Sequence, residues 1–273
     1  MSFLFIFGLL TVFMLGLAIG SFINVLVYRS IETEEDWKSG RSRCDDCQAL
    51  IKWYDNIPLF SYLILRGRCR ACHQPISPSH LLVELLTGAL FVWWYLGFAV
   101  FFQLVDQPFV VLQPLFWLLV GLLAVVIVVA DIKYYLIPDW AVVSLGVLTV
   151  AYRLFLTYTG VMQVDDLVKT VIASLIAMLL FWCLWFFSHG KALGFGDVKL
   201  VLVLGLLVGW PKLIPTLFLA FLTGAGVGIV LILLRKKGRK SAVPFGPFLI
   251  LGSFLALVVG QQLLIWYLDL LGL

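Results

Sequence analysis

Apolar residues run through this chain in long blocks, broken at intervals by polar, proline or glycine residues. The blocks predict helices at about 3–27, 81–104, 109–130, 139–159, 167–188, 197–211, 213–234 and 244–268. Several approach or exceed the ~20 apolar residues that, at ~1.5 Å per residue, cross a hydrocarbon core about 30 Å thick. The alternating ten-residue segments of an outer-membrane barrel do not occur. Residues 197–234 form an almost continuous run, but one helix of that length would rise about 57 Å, so Pro211-Lys212 is read as an interfacial turn. The first block lacks the basic region and small-residue cleavage site of a signal peptide and is expected to be retained. Only residues 28–80 are polar for long. The expected fold is therefore an all-α polytopic membrane protein of about eight transmembrane helices. It comprises a first helix (1–27), a small loop domain (28–80) and a seven-helix membrane domain (81–273).

Composition agrees: 63% of the 273 residues are hydrophobic and 12% charged, where soluble domains carry about 25% charged residues. The net charge of +4 matters less than its placement. With the N-terminus outside, 16 of the 19 basic residues fall in cytoplasmic segments, leaving Arg153, Lys169 and Lys212 near the outer face. The positive-inside rule thus puts both termini outside and the polar island in the cytoplasm. The cluster Arg235, Lys236, Lys237, Arg239 and Lys240 is read as part of this topology, not as a nucleic-acid surface.

Four of the five cysteines form Cys44-x2-Cys47 and Cys69-x2-Cys72. Two such tight turns can complete a tetrahedron around structural zinc and staple a loop too small for a large apolar core. A cytoplasmic position disfavours disulfides. A redox role, or His73 in place of one thiol, remains open. Cys183, inside an apolar block, is read as core.

The informative carboxylates sit at helix ends on the same expected side. Asp139 and Asp197 can be read as helix N-caps, and Glu84 as a first-turn acid that suits the helix dipole. Asp131 ends an apolar helix, where the dipole disfavours negative charge, so function explains it better. Two aspartates from different helices at one depth can form a dyad that shares a proton, activates water and protonates a carbonyl. Helix polarity would make Asp197 the base and Asp131 the acid. Gly194 and Gly196 would let a substrate backbone approach.

Together these motifs resemble the type IV prepilin peptidase family. The resemblance rests on Gly20-Ser21-Phe22-Ile23-Asn24-Val25 with Tyr28-Arg29, the two CxxC pairs and Glu84-Leu85-Leu86-Thr87-Gly88. It extends to Asp131 with Ile137-Pro138-Asp139, to Gly194-Phe195-Gly196-Asp197, and to Pro244-Phe245-Gly246-Pro247-Phe248. It implies a GxGD-type aspartyl protease of the bacterial inner membrane, with catalytic Asp131 and Asp197 and supporting Gly194, Gly196 and Asp139. Zinc would sit on Cys44, Cys47, Cys69 and Cys72. The implied reaction is cytoplasmic cleavage of the basic leader of prepilins or pseudopilins after glycine. N-methylation of the new N-terminus by S-adenosylmethionine would follow, with Ser21, Asn24, Arg29 and Glu84 as candidate residues. Neither the system served nor the oligomeric state follows from it.

Independently, Gly16, Gly20, Asn24 and Tyr28 share one helix face, the pattern of close helix packing, and a buried Asn24 needs a partner. The acidic residues Glu32, Glu34, Glu35, Asp36, Asp45 and Asp46 could attract a basic leader. The rival classes are an ion-relay transporter and a zinc-sensing membrane protein.

Overall fold

The computed structural model of the chain describes residues 3–32, 42–44, 46–100, 109–191, 193–234 and 243–271. The basic cluster Arg235–Lys240 and the acidic residues Glu34, Glu35, Asp36 and Asp45 lie outside them, as does the side chain of Glu32. Among the described residues the regular secondary structure is helical, apart from two isolated β-bridges at Arg43–Leu50 and Arg68–Pro75. The helices are α1 Phe3–Glu32, α2 Phe60–Ile64, α3 Pro78–Val100, α4 Phe109–Tyr134, α5 Asp139–Tyr158, α6 Val164–Phe187, α7 Phe195–Val208, α8 Leu213–Leu233 and α9 Gly246–Leu271. They form two compact units, Met1–Val129 and Ala130–Leu273.

In the first unit α1 packs on α3. The buried stripe of α1 is Gly16, Leu17, Gly20, Ile23, Asn24 and Val27, spaced by three and four residues as one helix face requires. A Cβ on Gly20 would stand 2.7 Å from the Cα of Glu84, and one on Gly16 2.8 Å from that of Gly88. The expected small-residue contact is therefore present. Tyr28 leaves it and is 38% exposed, because four-residue steps drift off a 3.6-residue helix.

In the second unit α7 is central, packing on α5, α6 and α9. All eight long helices expected from the sequence are present, and the break between α7 and α8 falls at Gly209–Lys212. Seven of them are long and apolar enough to cross a membrane. The exception is α7, whose 14 residues rise about 21 Å. The physical reason is its setting: Leu200, Val201, Val203 and Leu204 are buried, so protein, not lipid, surrounds it, and its length need not match the bilayer. Its last carbonyls are also satisfied. Arg153 of α5 donates to the carbonyls of Leu206 and Leu207, placing a cation where the helix dipole favours one.

Candidate active site and metal centre

Asp131 lies in the last turn of α4, and Asp197 is the third residue of α7. Both are 6% exposed. Each carboxylate is held by a glycine amide at the start of a helix. Gly194, the N-cap of α7, donates to Asp197 Oδ2 at 3.2 Å. Gly246, the first residue of α9, donates to Asp131 Oδ2 at 2.9 Å. Asp197 is thus a third-position acid reaching back to the helix start, not the cap itself. Asp131 stands at the C-terminal end of α4 as expected, and the compensating donor comes from a distant segment, the N-terminus of α9.

Ile137 joins the two segments. A Cβ on Gly196 would stand 3.0 Å from Ile137 Cβ, and one on Gly246 would stand 3.2 Å from Ile137 Cδ1. The space beside Gly196 is therefore filled from within. Asp131 and Asp197 interact electrostatically. Asp197 Oδ1 is buried without a hydrogen-bond partner, an arrangement costly enough in a folded protein to call for a proton, water or ligand there.

Gly246 stands in the stretch Pro244–Phe248, where its spacing carries no sign of a site residue. Phe245 holds it in place, its ring 5.1 Å from that of Phe221 and 6.3 Å from that of fully buried Phe181. The proline on each side of Phe245-Gly246 in the sequence marked a chain turn there, but nothing in one dimension pointed to Asp131.

Asp139 differs from the sequence expectation. Pro138 is the N-cap of α5 and makes no side-chain cap bond, while Asp139 accepts from Lys199 Nζ at 2.6 Å. A cation from the next helix turn of α7 competes successfully for the carboxylate. Its side chain is 71% exposed, unlike those of the two buried aspartates.

Glu84 also departs from expectation. Because α3 begins at Pro78, Glu84 is in its second turn. It accepts the amide of Leu59 at 2.9 Å and a hydrogen bond from Ser21. Asn24 Nδ2 donates to the carbonyl of His80 at 3.1 Å. These side chains bind α1, α3 and the loop to one another. Arg29 stands in the last turn of α1. The polar atoms of Ser21, Asn24 and Glu84 thus face protein partners.

The four thiols come together in a cluster that could hold a metal ion. The four sulfur atoms of Cys44, Cys47, Cys69 and Cys72 lie within 4.8 Å of one another, and Cys44 Sγ is 3.9 Å from Cys72 Sγ. Tetrahedral zinc with Zn–S bonds of about 2.3 Å separates its sulfurs by about 3.8 Å. The two turns repeat one design. Gln48 N donates to Cys44 O and His73 N to Cys69 O, each at 3.0 Å, and Gln48 and His73 both have positive φ, 57° and 59°. Amides of Cys72 and Ala71 draw the Cys69 thiol down to about 7, toward the thiolate a metal needs. His73 does not join the set. Arg70, inside the second turn, makes bonds of 2.9 and 2.6 Å to Asp55, tying the centre to the 3-10 turn Trp53–Asn56. Cys183, expected in the core, is only partly buried; an apolar helix surface against lipid accommodates a thiol as readily.

Two family models match the chain: the Bacterial Peptidase A24 N-terminal domain over residues 14–98 and the Type IV leader peptidase family over residues 117–229. The four clustered cysteines fall within the first match, and Asp131 and Asp197 within the second. Curated proteins named prepilin leader peptidase/N-methyltransferase are similar over nearly the whole length. That of Legionella pneumophila is 31% identical over 96% of this chain and 95% of its own. That of Aeromonas hydrophila is 35% identical over 94% and 93%, and that of Pseudomonas aeruginosa 32% over 95% and 93%. No solved structure matches the chain.

Proposed function

Because the chain belongs to the type IV leader peptidase family, we propose that it is a membrane aspartyl endopeptidase that removes the basic leader of prepilins or pseudopilins. It works after a glycine, at the cytoplasmic face of a bacterial inner membrane. The observation that carries this reading is the pair of buried aspartates, Asp131 and Asp197, gathered around Ile137 and each oriented by one glycine amide.

One carboxylate takes a proton from water while the water oxygen bonds to the scissile carbonyl carbon. The other passes its proton to the carbonyl oxygen. Collapse of the tetrahedral adduct returns a proton to the leaving nitrogen and breaks the C–N bond. The orphan Oδ1 of Asp197 is the natural acceptor for that water. Since both aspartates receive an amide at a helix start, helix polarity does not divide base from acid between them.

Asp139 and Lys199 brace the entry of α7 against α5 beside the dyad. Zinc on the four cysteines would fold the loop domain, all four positions being protein ligands as in structural sites. Methylation of the new N-terminal amine follows from the relatives' shared name, with S-adenosylmethionine supplying the methyl group. Ser21, Asn24 and Glu84 serve that activity by holding the first unit together. The relatives' names do not favour the ion-relay alternative.

Coexpression with a prepilin followed by mass spectrometry tests the proposal. A product shortened after glycine and carrying a methyl increment is expected. An unprocessed precursor alongside folded, zinc-loaded protein overturns it.

A further inference from the structure

Helix α2 is five residues long, and its side chains divide sharply. Ser61 is buried and donates to the carbonyl of Tyr54 at 2.8 Å. Phe60, Leu63 and Ile64, spaced by three and four residues on one face, are 46%, 60% and 74% exposed, and nearby Trp53 is 76% exposed. A polar loop domain gains nothing by displaying such residues to water. Basic residues follow at once. Arg66 and Arg68 are exposed and, with Ile64, Arg70 and His73, border a concavity of about 580 Å³.

The level of α2 is set by the bond from Leu59 N to Glu84 Oε2. Glu84 lies six residues past Pro78, about 9 Å along α3, inside the membrane-span candidate Pro78–Gly97. The start of α2 is therefore level with Leu82, Leu85 and Leu86 of α3, themselves 63%, 36% and 49% exposed. Apolar side chains at that depth meet acyl chains, and arginines just beyond them meet phosphates.

We propose that the segment Trp53–Arg68 is a foot by which the metal-binding loop stands on the lipid leaflet. Phe60, Leu63 and Ile64 enter the boundary between headgroups and acyl chains, and Arg66 and Arg68 bind the phosphates of anionic phospholipid. The occupant is the leaflet, because the exposed face pairs an apolar patch with positive charge at the depth of a lipid-facing helix. The foot fixes the metal centre against the membrane surface. It rests on the membrane location of α1 and α3 and is independent of the peptidase reading.

The test uses the full-length, zinc-loaded protein in vesicles of phosphatidylcholine with or without phosphatidylglycerol. A photoreactive benzoylphenylalanine replaces Phe60 or Ile64 in separate preparations, and Phe218, exposed on the span α8, in a control. Irradiation and mass spectrometry identify the adducts. Lipid adducts are expected at all three positions, with phosphatidylglycerol enriched over its share at positions 60 and 64. Arg66→Gln and Arg68→Gln should each lower that enrichment about fivefold, with zinc content unchanged. Adducts to protein, or none, at positions 60 and 64 while position 218 labels lipid would overturn the proposal. An enrichment indifferent to both arginines would do the same.

Discussion

The amide of Gly246 donates to Asp131 Oδ2 at 2.9 Å, across 115 residues of chain. The bond aims the start of α9 at the end of α4 and leaves no room between them: a Cβ at position 246 would stand 2.7 Å from that same oxygen. Gly246→Ala should therefore displace the Asp131 carboxylate. A shift approaching 1 Å costs on the order of 100-fold in rate. Prepilin cleavage should fall by about that factor while zinc content and expression stay at the parent level. Normal turnover in the alanine variant would show that this amide does not orient the dyad.

Asp131→Asn and Asp197→Asn keep the shape of the side chains and remove their acid–base capacity. Each should lower cleavage by at least about 100-fold. Methylation of a substrate supplied already cleaved should persist in both. Loss of both activities together would point to misfolding instead.

Asp139 makes the contrasting case. Its ion pair with Lys199 has side chains 71% and 37% exposed, and exposed pairs contribute about 0.2–1 kcal/mol. Asp139→Asn should leave cleavage within about fivefold of the parent, as should Lys199→Gln. A double-mutant cycle on kcat/KM should give a coupling of similarly small size.

Removing the metal should undo the loop domain without touching the carboxylates. Chelation, or Cys69→Ser with Cys72→Ser, deprives the two matched turns of their common centre. Small metal sites of this kind fold with their ion. Hydrogen exchange over residues 42–76 should accelerate strongly, and amides of α7 should keep their protection. Full protection of the loop in metal-free protein would assign zinc no structural role.

The Arg70–Asp55 pair predicts a pH dependence. The Arg70 guanidinium, donating to both carboxylate oxygens, holds Asp55 below its ordinary value of 3.8. A carboxylate depressed on folding adds stability that is present above its unfolded pKa and is lost as pH falls through the lower folded value. Protection of residues 53–70 should therefore drop below about pH 4 in the parent. Arg70→Gln should show the loosened state already at neutral pH, and hydrogen exchange at the two pH values separates these outcomes.

Much of the architecture was legible in one dimension, because the controlling quantities are local. A hydrocarbon core of set thickness demands apolar blocks of set length, so the eight long helices and the break before Leu213 could be placed by counting. The CxxC spacing similarly carries its own geometry, since two thiols on a tight turn face one ion. Asp131 stood out because charge at the end of an apolar helix needs a reason. What satisfies each polar group was not legible. Its own helix disfavours charge on Asp131, yet the start of α9 supplies its donor. Position alone suggests a cap for Asp139, yet Lys199 takes it, and Glu84 serves the Leu59 amide, not the dipole of α3. The shortness of α7 belongs with these, since it is tolerated only because neighbouring helices cover it and Arg153 closes its end. Sequence alone determined which segments are helices and which residues could do chemistry, because chain-local periodicity and spacing encode both. Only the tertiary structure decided which donor meets which carboxylate, because those partners lie tens of residues apart and are chosen by packing.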